Sequence, residues 1–433
     1  MKKTTKDSII IGFALFAIFF GAGNLIFPPT LGNLVGKEFL ISSFGFTLAA
    51  VGLPLLGILA SLKCDGDFQK VFNVMGNRFS IIISVMLFLA IGPMVAIPRT
   101  AATTYELTLY PIFPHVTPLV GMIIYFIINL ILVFKPSKIM DGIGKVLTPI
   151  LLICLGTIII KGIIFPIGTP SISSISNIFS TSFVEGYQTM DALGSLVFAS
   201  IVLTSIKAKG YDKNDSFKIA IKASIVAIIG LSLVYFGLMY LGSQTSALIP
   251  SNIGKTSLLI EITNRILGSF GCNLLGLAIG LACLTTSIGL ISSGASFFEK
   301  LTKGKLNYKF NAIIITVISI IIGQFGVDKI VAIANPILSI LYPIGITIII
   351  TTFIRYKIQD TLPIKVAVYT SLIFSILSGL PSFGININSL NNLLNFIPLS
   401  SLGFSWLLPT IISFIITFVM IQLKPQVKVD NEI

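Results

Sequence analysis

The sequence has little charge: acidic and basic residues fill 10% of its 433 positions, against 55% for hydrophobic ones. It also lacks a Walker loop, an HExxH helix and a nucleophile elbow, and no soluble domain is attached that could couple nucleotide hydrolysis to movement. These absences exclude the common enzyme classes, and they leave an ion gradient as the energy source for any uphill process. The four cysteines, Cys64, Cys154, Cys272 and Cys283, have no metal-ligand spacing and no evident pairing, so no cysteine chemistry is assigned. The one histidine, His115, reads as a solvated loop residue and not a proton carrier. No charged or low-complexity linker interrupts the chain, so residues 1–433 form one integral membrane domain.

What the sequence does have is length in apolar runs. Mean hydropathy is +1.00, and segments of about 20 apolar residues recur from end to end, the signature of a polytopic all-α membrane protein. About twelve spans are expected, near 9–31, 39–62, 79–105, 117–134, 146–165, 187–206, 219–242, 272–298, 310–323, 330–353, 364–380 and 402–422. The first lacks a small-residue cleavage site and runs almost directly into the second, so it reads as a retained helix, not a signal peptide.

A net charge of +13 would suggest nucleic acid in a soluble protein; in a membrane protein the placement of the positive residues matters more. With the N-terminus inside, 23 basic residues fall on inner segments and only Lys37, Lys161, Lys255, Arg265 and Lys329 on outer ones. The positive-inside rule then places both termini in the cytoplasm. No nucleic acid and no obligatory protein subunit is expected as a partner, only the lipid bilayer and a small solute.

The first span is built to break. Gly21-Ala22-Gly23-Asn24 interrupts its second half, and Pro28-Pro29 follows. Glycine weakens the helical ladder and proline removes N–H donors, so backbone groups are freed at a depth where lipid cannot satisfy them. The half-helix amides suit a carboxylate, the carbonyls suit a cation, and Asn24 adds a neutral oxygen. Such paired interruptions mark the binding sites of secondary transporters. The sixth span has its own interruption, Thr189-Met190-Asp191-Ala192-Leu193-Gly194-Ser195.

Two amphipathic connectors strengthen the parallel. Phe68, Val71, Phe72 and Met75 share a helix face between the second and third spans, and Leu259, Ile262 and Ile266 do so between the seventh and eighth. They occupy equivalent places if spans six to ten (186–354) repeat spans one to five (1–165) upside down, with two further helices (364–422) appended.

Polar residues in the spans have two readings each. Thr285 and Thr286 can bond back to the preceding turn or offer oxygens to a monovalent cation. Arg99 shares a face with Thr103 and Glu106, so an ion pair with Glu106 or with Asp191 competes with a functional role. Asp191 can serve the site directly or only support it.

Four ordered motifs carry a resemblance that covers essentially the whole chain. Phe20-Gly21-Ala22-Gly23-Asn24-Leu25-Ile26-Phe27-Pro28-Pro29, Gly92-Pro93-Met94-Val95-Ala96-Ile97-Pro98-Arg99-Thr100, Gly186-Tyr187-Gln188-Thr189-Met190-Asp191-Ala192-Leu193 and Leu284-Thr285-Thr286-Ser287-Ile288 resemble the bacterial branched-chain amino acid:cation symporters, the BrnQ-type carriers. That resemblance implies uptake of leucine, isoleucine and valine across the bacterial cell membrane with sodium as coupling ion and no organic cofactor. It implies a leucine-transporter-like fold of two five-helix inverted repeats plus two helices. Carried over by motif, it places the backbone amides of Ala22 and Gly23 on the substrate carboxylate. Sodium would lie among the carbonyls of Ala17, Phe20 and Ala282 and the hydroxyls of Thr285 and Thr286, with a second sodium near Asn24 and Thr189. Asp191 departs from the neutral segment usual there. A carrier for another small neutral amino acid such as proline or alanine, with proton coupling, or an uncoupled channel or sensor, are the competing readings.

Overall fold

The computed structural model describes residues 3–134, 139–173, 175–358 and 360–423. Lys2, Lys135, Lys138, Lys424 and Lys428, part of the charge asymmetry above, lie outside the described residues, as does the end of the chain. Among the described residues there are helices and no strands.

In chain order the α-helices are α1 (Lys3–Phe19), α2 (Ala22–Val35), α3 (Phe39–Thr47), α4 (Leu53–Lys63), α5 (Phe68–Phe72), α6 (Asn77–Leu89), α7 (Ala96–Thr104), α8 (Tyr110–Ile112), α9 (Pro118–Phe134) and α10 (Ile139–Ile164). The second half holds α11 (Ile178–Glu185), α12 (Asp191–Lys207), α13 (Lys213–Ser243), α14 (Lys255–Leu301), α15 (Tyr308–Gly323), α16 (Val327–Ile354), α17 (Leu362–Gly379), α18 (Asn388–Asn395) and α19 (Leu407–Gln422). Helices cover all twelve expected positions. Six described helical stretches are long and apolar enough to cross a membrane, or seven with α11 and α12 taken as one bent span, and four apolar helices are shorter. The protein is a multi-pass membrane protein, and its exterior fits that: Phe44, Ile153 and Leu233 are among many large apolar side chains that face outward, as lipid-facing residues do.

The first rod breaks at its glycine motif and not at its prolines. Helix α1 ends at Phe19 and α2 begins at Ala22, so the gap is Phe20-Gly21. Pro28 and Pro29 sit inside α2, which continues to Val35. An interior proline leaves the carbonyl four residues back without its donor, here those of Asn24 and Leu25. The helix survives because α2 is almost wholly buried along α13, where backbone meets backbone. A side chain on Gly32 would collide with the Met239 carbonyl, and one on Gly242 with the Pro29 carbonyl.

The sixth rod breaks at a 3₁₀ turn, Gly186–Thr189, followed by Met190 in the left-handed region at φ 63°. Its halves are bent by 42°. The third rod carries a break that periodicity alone does not announce: Ala90–Met94 forms a wide turn with Gly92 at φ −100°, ψ −117°, and α7 restarts at Ala96. Packing is reciprocal, with α1 and α2 along α13 and α12 and α11 along α4 and α3. The apolar faces of both amphipathic connectors are buried: Val71, Phe72 and Met75 in one, Leu259, Ile262 and Ile266 in the other. The second of these runs into its span as a single helix, α14, kinked at Gly268 (φ 71°).

Candidate functional site

All three broken rods meet around one pocket. Its walls include Ala22, Gly23 and Asn24 from α2, Arg99 and Thr100 from α7, and Thr189 and Asp191 from the sixth rod. Apolar side chains complete it, Phe19, Ile91, Met190, Phe198 and Leu290 among them, and Thr286 of α14 closes one edge. A site with a few convergent polar groups in an apolar wall is what a small organic solute requires.

The gap in the first rod redirects a specific amide. In an unbroken helix the Gly21 N–H would bond to the Ala17 carbonyl; here it lies 2.9 Å from the Phe19 carbonyl and 3.2 Å from Asn24 Oδ1. The Ala17 carbonyl is thereby released. At the head of α2, the amides of Ala22 and Gly23 belong to the first turn, which has no intrahelical acceptor.

Asn24 is the hub between the breaks. Its Nδ2 donates to Asp191 Oδ2 at 2.5 Å and to the Tyr235 hydroxyl of α13, while its Oδ1 takes the Gly21 amide. Thr189 spends its hydroxyl proton on the Gly186 carbonyl at 2.9 Å. Asp191 opens α12, where the helix dipole favours a negative charge. Both Asn24 and Asp191 are buried.

Across the gap, Thr285 and Thr286 donate to the Ala282 carbonyl at 2.8 and 3.2 Å. That is the back-bonding geometry of a hydroxyl on a helix, and it leaves the oxygen lone pairs free to accept or ligate. A methyl placed on Gly21 would sit 3.5 Å from Thr286 Oγ1, so α14 abuts the first-rod gap at this point. The structure thus brings Gly21, Ala22, Gly23, Asn24, Thr189, Asp191 and Thr286 around one pocket, with Ala282 and Thr285 one turn away or less on the same helix and Phe20 within the gap.

Arg99 does not form either ion pair considered from its helix face. Its Nη1 donates to the Gln188 carbonyl at 2.5 Å, and its guanidinium lies 5.6 Å from the Phe27 ring centroid. Glu106 is engaged elsewhere: it accepts from Thr256 Oγ1 at 2.5 Å and from the Val327 amide at 2.9 Å. Seven residues separate Arg99 from Glu106, about 10.5 Å of helix rise, so a shared face does not bring their charged ends together.

Several site residues had no sequence signal. Tyr235 lies mid-helix in α13, Gln188 contributes a backbone carbonyl, and Asn335 is reached by the Gln188 side chain at 2.5 Å. The Gly92-Pro93 pair was the available clue to the third break.

Comparison with known proteins agrees with this architecture. The sequence pattern of the family described as branched-chain amino acid transport protein matches residues 4–424. The chain is 39% identical to the branched-chain amino acid permease BraB of Bacillus subtilis over 99% of its own length and 98% of that protein's. It is 36% identical to the permease BrnQ of the same organism, over 97% and 98%. Among solved structures, the crystal structure of MhsT in complex with L-phenylalanine matches with a TM-score of 0.57 at 17% identity, covering 94% of this chain and 98% of that one. Mhp1, a nucleobase-cation-symport-1 family transporter in a closed conformation, matches with a TM-score of 0.63 at 11% identity, covering 96% and 92%. At these identities the structural matches establish the fold alone, a leucine-transporter-like helical architecture.

Proposed function

The chain belongs to the branched-chain amino acid transport proteins, and on that footing we propose that it is a sodium-coupled symporter that imports leucine, isoleucine and valine by alternating access. The observation that carries the proposal is the meeting of the first-rod gap, the sixth-rod break and Thr286 at one mostly apolar pocket. Freed amides of Ala22 and Gly23 take the substrate carboxylate, as helix N-termini take anions. Phe19, Ile91, Met190, Phe198 and Leu290 enclose the side chain, where each buried CH₂ is worth about 0.8 kcal/mol and separates leucine from alanine.

Sodium in this reading is carried as cargo among the carbonyls of Ala17, Phe20 and Ala282 and the hydroxyls of Thr285 and Thr286. The Ala17 carbonyl that has lost its Gly21 donor and the lone pairs of the two hydroxyls are hard oxygen donors, and Thr286 abuts the gap at Gly21. Asn24 Oδ1 already accepts the Gly21 amide and Thr189 Oγ1 the Asp191 amide, so these candidates for a second sodium have less acceptor capacity left than Thr285 and Thr286, which favours a single ion.

The reciprocal packing of α1 and α2 on α13 and of α12 and α11 on α4 and α3 supports an inverted repeat of 1–165 and 186–354, with the last two long helices appended. The basic-residue bias supports cytoplasmic termini in a bacterial cell membrane.

One observation favours a second reading. Asp191 puts a carboxyl group in the pocket wall, and a proton in place of sodium could use it. Radiolabelled leucine uptake into proteoliposomes decides between them. A sodium gradient imposed at constant pH drives accumulation on the first reading; accumulation that follows only a pH gradient supports the second, and indifference to both sinks coupling altogether.

A further inference from the structure

Two buried groups of opposite charge line this pocket, near enough to attract each other but without a direct ion pair between them. Arg99 is 3% exposed and Asp191 7% exposed, yet among the described residues neither takes part in an ion pair. A guanidinium has five N–H donors. In Arg99, Nη1 is used on the Gln188 carbonyl and Nε has no acceptor at all. Asp191 accepts from Asn24 through Oδ2, and a carboxylate has capacity for more. Buried ions left in this condition are costly unless something of complementary charge arrives.

The surroundings are shaped for the arginine. A methyl group on Gly23 would lie 2.7 Å from Nη2 and 3.2 Å from Cζ, so the glycine in the first-rod break is what lets the guanidinium reach the head of α2. The break at Ala90–Met94 restarts α7 three residues before Arg99 and re-aims it at the pocket. The cation therefore stands between Gly23 of one break and Gln188 of another, beside the same amides proposed to meet the substrate carboxylate.

We infer that Arg99 and Asp191 form a clamp for a zwitterion, with Arg99 receiving the α-carboxylate beside the amides of Ala22 and Gly23 and Asp191 receiving the α-ammonium. This rests on the amino-acid reading above and adds to it. The consequence is a charge balance: the neutral zwitterion meets a neutral pair of side chains, so no second sodium is needed beside the carboxylate, and each leucine crosses with one cation.

The test uses the full chain in proteoliposomes with three probes: leucine, leucinamide, which lacks the carboxylate, and 4-methylpentanoate, which lacks the ammonium. Wild type discriminates against both analogues by more than about 100-fold. In Arg99→Gln the preference for leucine over leucinamide falls at least tenfold while that over 4-methylpentanoate persists; in Asp191→Asn the pattern is reversed. If Arg99 only holds the sixth-rod break in place, Arg99→Gln weakens leucine and leucinamide by the same factor, and the clamp is overturned. A wild-type measurement keeps the inference falsifiable should either variant fail to fold. Charge movement divided by leucine flux gives one charge per leucine on the clamp, whereas two charges per leucine mean a second cation crosses with each substrate and overturn the charge balance the clamp requires. Failure of wild type to take up leucine at all would instead defeat the amino-acid reading, a separate outcome.

Discussion

The breaks in the first and sixth rods meet at one pocket but are made of different material. The first is neutral: Gly21 and Gly23 remove side chains, Asn24 supplies an amide, and the freed groups are backbone N–H and C=O. The sixth is charged at its edge, where Met190 in a left-handed turn swings the chain so that Asp191 starts a new helix facing Asn24. Backbone dipoles can hold either end of a solute or a small cation weakly and adaptably, whereas a fixed carboxylate selects a positive group. On the proposed reading the neutral break with its Thr285–Thr286 neighbour handles the ion and lends the Ala22 and Gly23 amides to the carboxylate, while the charges of Arg99 and Asp191 select the substrate's two polar ends.

Substitutions can break that division in graded steps. Asp191→Asn removes the charge while keeping the shape; hydrogen bonds to charged groups are worth about 1.5–3 kcal/mol, so leucine uptake at limiting concentration falls by about 10- to 150-fold. Added sodium does not restore it, as an uptake titration would read. Gly23→Ala crowds the end of a flexible arginine, an overpacking cost near the low end of about 1–3 kcal/mol. We expect leucine affinity to drop by about 5- to 30-fold with sodium affinity changed much less, measured by equilibrium binding.

On the neutral side, replacing both Thr285 and Thr286 by alanine raises the half-saturating sodium concentration about tenfold, by analogy with the loss of about 1–1.5 kcal/mol of polar interaction. Leucine transport at saturating sodium is largely kept. An unchanged sodium titration in the double variant would remove the proposed ion site. The smallest effect is expected at the hub: Tyr235→Phe loses one neutral hydrogen bond to Asn24, worth about 0.5–1.5 kcal/mol, and lowers uptake by about two- to tenfold.

How much of this was legible in sequence follows from the kind of signal each feature leaves. Apolar length and the Gly21–Asn24 motif are local and residue-specific, so the helical membrane fold and the first break could both be read. Asp191 stood out because a carboxylate is rare inside an apolar run. Pro28-Pro29 does not end the helix, since close packing on Gly242 of α13 holds α2 together past two missing donors. Helix-face spacing puts Arg99 and Glu106 on one side but about two turns apart, and tertiary packing gives Glu106 the partners Thr256 and Val327 instead. The Gln188 carbonyl that receives Arg99 was illegible for a simpler reason, because every residue has a carbonyl and only the tertiary fold chooses one.

The division of labour between the two breaks is the central claim, and a rescue titration tests it most directly. Leucine binding to purified wild type, Thr285→Ala plus Thr286→Ala, and Asp191→Asn is followed as sodium is raised. The account gives a double threonine variant that recovers wild-type leucine affinity at high sodium and an aspartate variant that does not recover at any sodium concentration. Recovery of Asp191→Asn by sodium, with no recovery of the threonine variant, would contradict it.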